Sequence, residues 1–294
     1  METVNKGPEP TAWENFRNTP GADFSATPEL KFALLREGGF VCAYCGRRIP
    51  CSDPLSDNKE NVENDIDEHT INHRTDTMHV EHFWPRKFLK TPEERMVYAN
   101  LIACCPGFIS RIGNNKKANL YSSHCDHRKG SRVLHLNIFQ RNLGDKFRYI
   151  TNMKSPLAGA IMIEDNFVHT PESDEKDWLD INRRGWDAGH SGQLLVNLQN
   201  EIAPMNIEHD DNVLNLNHRI LRINRASVIK AIQTQAKKYG SHRAWWERLL
   251  IKFSTMSEFV DYLNPITNNE ERFMAYPPYR SIAIFYIKKK LRQC

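Results

Sequence analysis

No stretch of this 294-residue chain approaches the roughly 18 uninterrupted apolar residues of a membrane span, which argues against a helical membrane protein. The opening residues, Met1-Glu2-Thr3-Val4-Asn5-Lys6, lack the apolar segment of a secretory signal, so a cytoplasmic location is expected. Charge of one sign is not in large excess: 40 Lys and Arg stand against 36 Asp and Glu. The net charge of +4 and a pI of about 8.6 permit a nucleic-acid partner without demanding one, because strongly basic binding domains sit higher. No internal repeat is visible.

What is present is the make-up of a soluble globular protein, with 40% hydrophobic and 26% charged residues, enough for one large domain or two ordinary ones. Charge is distributed unevenly. Residues 53–68 are acidic and poor in large apolar side chains, whereas residues 216–225 and 286–292 are basic. Seven cysteines in a cytosolic setting argue against a disulfide framework. Cys42-Ala43-Tyr44-Cys45 is a Cys-x-x-Cys knuckle, which serves either as a metal half-site or as a redox pair. A redox pair needs a strand before it and a helix after it. Gly38-Gly39 before and Gly46-Arg47-Arg48 after look like a turn, which favours zinc.

Local signals divide the chain into three parts. Residues 1–29, rich in Pro, Asn, Thr and Gly, read as an N-terminal arm on the surface. Residues 30–150 read as a zinc-stapled domain with an acidic insertion at 51–77. Residues 151–294 read as mainly helical. Thr27 caps a helix over 28–37 that starts at Pro28 and ends at Gly38-Gly39. Thr77 to Trp84 alternates as a strand stopped by Pro85, and Leu101 to Cys105 reads as a buried strand. Segments 147–150 and 160–163 form a hairpin. Apolar residues from Val213 to Ile232 fit one helical face, and 242–251 and 256–263 repeat that style. The class is α+β.

Four features between residues 42 and 130 carry chemistry. A structural zinc needs four tetrahedral ligands, and Cys42, Cys45, Cys105 and Cys125 can supply them, with Cys104 an alternative to Cys105. Glu81-His82 places a hard oxygen ligand for a divalent cation beside an imidazole that titrates near neutrality. Asn100 follows, then His124-Cys125-Asp126-His127-Arg128-Lys129-Gly130. Glu81 and His82 point to opposite faces of a strand and can serve one site only where the strand ends. Arg86, Arg128 and Lys129 are candidate phosphate contacts, which position a nucleic acid without reading its sequence. His79, His124 and His135 carry no assigned role.

This arrangement resembles the HNH, or ββα-metal, nucleases, in which a Cys-x-x-Cys knuckle precedes an acidic-His strand, a central Asn and a Cys-led helix ending in Lys-Gly. The resemblance implies Glu81 as first metal ligand, His82 as general base, Asn100 as the brace of the loop, and Asp126 as second metal ligand. His or Asn is usual at that last position, so Asp126 departs from the pattern and His127 is the alternative. The stretches Gly38 to Ile49, Val80 to Lys87, Asn100 to Gly107 and Val213 to Arg225 are similar to the PtuB-type effectors of Septu and retron antiphage systems. That likeness spans about residues 28–230 and is weakest at 46–78. It implies a zinc-stapled nuclease core with a helical C-terminal lobe, a structural Zn²⁺, a catalytic Mg²⁺ or Mn²⁺, a DNA or RNA substrate, and a PtuA-like ATPase of the ABC/SMC class. Leu214, Leu216, Ile220, Leu221, Ile223 and Ile229 either face that partner or pack the lobe on the core. The alternative function is a non-catalytic zinc module that binds nucleic acid or a partner protein.

Overall fold

Helix α2 (Pro28–Glu37) begins where Thr27 accepts a hydrogen bond from the Leu30 amide at 3.3 Å, with Pro28 at the first helical position, where its missing N–H costs nothing. It buries Leu30, Phe32, Leu34 and Leu35. The computed structural model that contains it describes residues 3–49, 78–107, 123–139, 143–163, 198–206, 208, 211–240 and 242–293. The acidic stretch 53–68, most of the polar loop 113–123, the acidic linker 170–180, Cys51 and Cys294 lie outside these residues. The N-terminal arm is more than a surface wrap, because Thr11–Arg17 forms a helix, α1. Its Trp13 is buried and donates from Nε1 to the Met96 carbonyl at 3.0 Å.

After Gly38 the chain makes the cysteine knuckle, tied by Cys42 N–H to the Arg47 carbonyl and Ile49 N–H to the Phe40 carbonyl. Strand β1 (His79–His82) then pairs antiparallel with β2 (Leu101–Cys104), with His79 opposite Cys104 and Glu81 opposite Ile102. Between them lie a 3₁₀ turn at Arg86–Phe88, the short helix α3 (Pro92–Arg95) with a Thr91/Glu94 capping box, and a 3₁₀ turn at Tyr98–Asn100. The Ala43 amide donates to the Ala103 carbonyl, which fastens the knuckle to the edge of β2. Helix α4 (Cys125–Lys129) completes a strand–strand–helix order. Gly107 joins its two ends: its carbonyl accepts from the His124 amide at 2.6 Å, and its φ of +74° brings the chains too close for any side chain.

The C-terminal part contains the hairpin β3 (Phe147–Tyr149)/β4 (Ile161–Ile163), helices α5 (Leu198–Ile202), α6 (Arg219–Tyr239), α7 (Arg243–Ser254) and α8 (Arg280–Leu291), and a second hairpin. That second hairpin, β5 (Glu258–Leu263)/β6 (Glu270–Ala275), corrects the helical reading of 256–263. Val260 and Tyr262 alternate inward, and Tyr262 stacks on Phe32 of α2 at 5.6 Å. The hairpin also joins Arg48 to Glu258 at 2.5 Å, and the following turn bonds Tyr279 N–H to the Gly46 carbonyl.

One apolar core runs from Trp13 to Ile287. Leu214, Leu216, Leu221 and Ile229 are fully buried in it, Ile220 is partly buried and Ile223 is exposed. The molecule is therefore α+β, with small sheets and packed helices. Among the described residues no helix is long and apolar enough to cross a membrane. Gly107→Ala is expected to destabilise the protein by more than about 2 kcal/mol, from left-handed strain plus a backbone clash with His124. The urea midpoint and the bound-metal content should fall together, and an unchanged midpoint would refute the close approach.

Candidate metal centre and carboxylate cluster

The knuckle, the end of β2 and the start of α4 bring Cys42, Cys45, Cys105 and Cys125 together, with all four sulfurs within 4.8 Å of one another. Cys42 Sγ stands 3.9 Å from Cys125 Sγ, and Cys45 Sγ 3.8 Å from Cys105 Sγ. A tetrahedral zinc with Zn–S bonds of about 2.3 Å sets its sulfurs about 3.8 Å apart, so this cluster could hold a metal such as zinc. The geometry selects Cys105 over Cys104 for the fourth corner. Cys104 is buried beside the cluster and hydrogen-bonds Cys42.

Burial pushes the Cys42 thiol up, but hydrogen bonds from the surrounding cysteines outweigh it and bring it well below its ordinary value. The opposite corner behaves differently: burial and neighbouring sulfurs hold Cys125 well up. A redox role for Cys42 and Cys45 does not suit this setting, since thiol exchange needs an accessible thiolate and these sulfurs are buried. His124 Nδ1 lies 3.2 Å from Cys125 Sγ and supports that ligand from outside.

Directly beside the cluster, Tyr44 of the knuckle donates to Glu81 Oε1 at 3.3 Å. Glu81 is buried and meets Lys129 Nζ of α4 at 2.5 Å, while Lys129 also reaches the His82 carbonyl at 3.1 Å. Asp126, one turn earlier on α4, shares a hydrogen bond with Glu81 and a 2.9 Å contact with His79 Nδ1. Burial lifts the Glu81 carboxyl well above its ordinary range, against the pull of Lys129, and the Asp126 charge adds to the rise. Burial acts upward on Asp126 too, but its bonds with His79 and Glu81 prevail and leave it below its ordinary value. The two neighbouring carboxyls are thus pushed in opposite directions, Glu81 up and Asp126 down.

His82 ends β1 on the other face. Its Nε2 lies 2.9 Å from the Arg95 carbonyl, and a carbonyl only accepts, so Nε2 carries the hydrogen and Nδ1 the lone pair. Burial lowers its pKa to about 4, so the ring is neutral at pH 7. Phe24 packs its edge against the imidazole at 4.4 Å, and the exposed Arg86 lies over Phe24. Asn100 accepts from the Trp84 amide at 2.7 Å and donates to the Trp84 carbonyl at 3.1 Å, which fixes the loop after His82.

The structure thus gathers Glu81 and Asp126, places His82 at the strand end, and gives Asn100 a bracing position. His127, the alternative to Asp126, is exposed. Two expected phosphate contacts are corrected. Lys129 is buried on Glu81, and Arg128 is buried with Nε on the Asn212 carbonyl, so neither guanidinium nor ammonium is presented to a polymer. Arg86 remains exposed near His82. His79, given no assigned role and read as a surface histidine rather than a supporting partner of the site, contacts Asp126 at 2.9 Å. Its signal was in the strand period, since His79 and Glu81 share one face.

Sequence reasoning also missed the clamp on α4. The Cys125 amide donates to the Leu214 carbonyl at 2.9 Å, Asn215 Nδ2 to the Ser123 carbonyl at 2.8 Å, and Arg132 Nη1 to the Asn212 carbonyl at 2.7 Å. Asn212 and Asn215 are spaced as turn residues, but nothing local says what they hold.

Comparison of the chain with family models, curated proteins and solved structures finds no match. The cysteine geometry predicts one zinc per chain. Cys105→Ser should lose it and unfold at ordinary temperature, because structural zinc binding contributes on the order of 10 kcal/mol to folding, whereas Cys104→Ser should retain it. Elemental analysis of the two purified variants decides, and zinc loss from Cys104→Ser alone would reassign the fourth ligand.

Proposed function

We propose that this chain is a metal-dependent endonuclease of the HNH type, stapled by a structural zinc at Cys42, Cys45, Cys105 and Cys125, and that it acts in antiphage defence beside an ABC/SMC-class ATPase. The observation that carries the nuclease reading is that one strand–strand–helix unit holds the paired Glu81 and Asp126 carboxylates, a neutral His82 at the end of the same strand and a bracing Asn100. The defence setting and the ATPase rest on resemblance to the PtuB-type effectors alone.

Glu81 and Asp126 offer hard oxygen donors side by side, the donor set that Mg²⁺ or Mn²⁺ prefers. Such a cation supplies charge neutralisation at the scissile phosphate and the departing oxygen. His82 does the proton work. With Nε2 fixed on the Arg95 carbonyl, its Nδ1 takes a proton from water as the oxygen attacks phosphorus and the P–O3′ bond breaks. Its low pKa keeps the base unprotonated at neutral pH. Asn100 holds the backbone at Trp84, two residues after His82. Lys129 fixes Glu81 and the His82 carbonyl together, tying the metal-ligand face to the base. Arg86 is the cation placed to meet a phosphate.

Lys129 also favours the rival reading, a zinc module that binds without cutting, because its Nζ already occupies Glu81 Oε1 at 2.5 Å, where a cation would have to bind. The two readings separate in one assay. Plasmid DNA and total tRNA are incubated with purified protein and Mg²⁺, Mn²⁺ or EDTA, alongside His82→Ala. The nuclease reading expects divalent-dependent cutting and a loss of at least about 10²-fold in His82→Ala, with zinc content unchanged. Binding without cutting, with or without the ATPase, supports the rival.

Because Glu81 must release its proton before it ligates a cation, Mn²⁺ affinity should rise with pH, being tighter at pH 8 than at pH 6. Glu81→Gln should flatten that dependence. Titration followed by Mn²⁺ electron paramagnetic resonance reads both, and equal affinities at the two pH values would count against a raised Glu81 carboxyl.

A further inference from the structure

A cavity of about 820 Å³ opens between the N-terminal arm, the knuckle, the 3₁₀ turn at Leu143–Lys146 and helix α8. Small-molecule sites occupy roughly 300–1,000 Å³, and this one lies within that range. Glu81, His82, Asn100 and Asp126 do not line it.

Helix α8 explains why the space exists. Ile282, Ala283, Tyr286 and Ile287 pack into the core. A second stripe, Ser281, Ile284, Phe285, Lys288 and Arg292, follows the spacing of one helical face and lines the cavity. A helix of a soluble protein ordinarily needs one apolar stripe. Here Ile284 and Phe285 give it part of another, facing the cavity with Phe147 and Tyr276.

The charge of the lining is one-sided. Six cationic side chains, Lys6, Arg148, Arg280, Lys288, Lys289 and Arg292, stand against two carboxylates, Glu37 and Asp145. Each of those carboxylates already has a cation: Lys6 Nζ is 3.0 Å from Glu37, and Lys288 Nζ is 3.4 Å from Asp145. Arg280 lies over the Tyr276 ring at 3.8 Å, whereas the exposed Lys289 and Arg292 add positive charge at the C-terminal end of α8, and a guanidinium matches phosphate geometry.

We propose that this cavity binds a phosphorylated small molecule of the nucleotide class, with the base against Ile284 and Phe285 and the phosphates toward Lys289 and Arg292. Apolar walls alone would suit a lipid and cations alone a bare anion; Phe285, one helical turn from Lys289 and two from Arg292, suits a ligand with both a planar ring and phosphates. Cys42, Ala43 and Gly46 also line the cavity, so an occupant touches the knuckle that carries half of the metal cluster.

The test is calorimetric titration of the full-length, zinc-loaded protein with ATP, without added Mg²⁺, with adenosine and inorganic pyrophosphate as separate arms. ATP is expected to bind, and each fragment to bind at least about tenfold more weakly, a difference of about 1.4 kcal/mol. Lys289→Glu/Arg292→Glu alters two exposed side chains and should weaken ATP by a similar factor. Ser254→Trp, at an exposed lining position, should block entry, with zinc content and thermal midpoint unchanged in both variants. No heat with ATP at millimolar concentration, equal binding of pyrophosphate, or unaltered affinity in both variants would overturn the proposal. Binding is read without cleavage, so the outcome is independent of the nuclease reading.

Discussion

Four buried sulfurs stand within 4.8 Å of one another only because three distant stretches of chain are held in register. Two sulfurs come from a turn, one from the residue after β2 and one from the first residue of α4. The turn is fixed by backbone bonds within it and by Ala43 on β2, while α4 is fixed by the Gly107 carbonyl on one side and the Leu214 carbonyl on the other. Cys125 itself adopts a φ of +54°, a conformation that a non-glycine residue keeps only when its surroundings enforce it. Strand pairing, the glycine approach and the C-terminal clamp all serve the same small volume.

The carboxylate cluster inherits its geometry from that arrangement. Once Cys125 is placed, Asp126 and Lys129 follow on a single turn of α4 and must meet whatever β1 presents. It presents Glu81, with His79 two residues before it on the same face. A buried carboxylate pair with one lysine is costly to desolvate, and such a group persists when the surrounding fold fixes it or when a function needs it. His82, one residue on, faces the opposite way and is anchored by an independent carbonyl. His82 and the carboxylates are thus controlled by different parts of the chain, linked through Lys129 and the His82 backbone.

Much of this was legible in the residues. Thr27, Pro28 and Gly38 mark α2 because capping is local, and the cysteine spacing with Glu81, Asn100 and Asp126 identifies the positions that the fold later gathers. What escaped depends on partners far along the chain. Helix α1 is held by Trp13 reaching Met96, and nothing near Trp13 announces that acceptor. Residues 256–263 carry apolar spacing that a helix or a strand could use, and Phe32 decides for the strand by stacking on Tyr262. Lys129 looked like a surface cation because its sequence neighbours are polar; its burial follows from facing Glu81 across the unit.

The Leu214 carbonyl that receives the Cys125 amide has a consequence for how the protein is made. A chain emerging from the ribosome exposes both halves of the cysteine cluster long before the residues that lock its last corner. Until residue 214 and the start of α6 are free to fold back, α4 lacks its clamp, and the carboxylates it carries have no fixed place. The centre is therefore completed late in synthesis, and shortened translation products carry its ligands without its geometry.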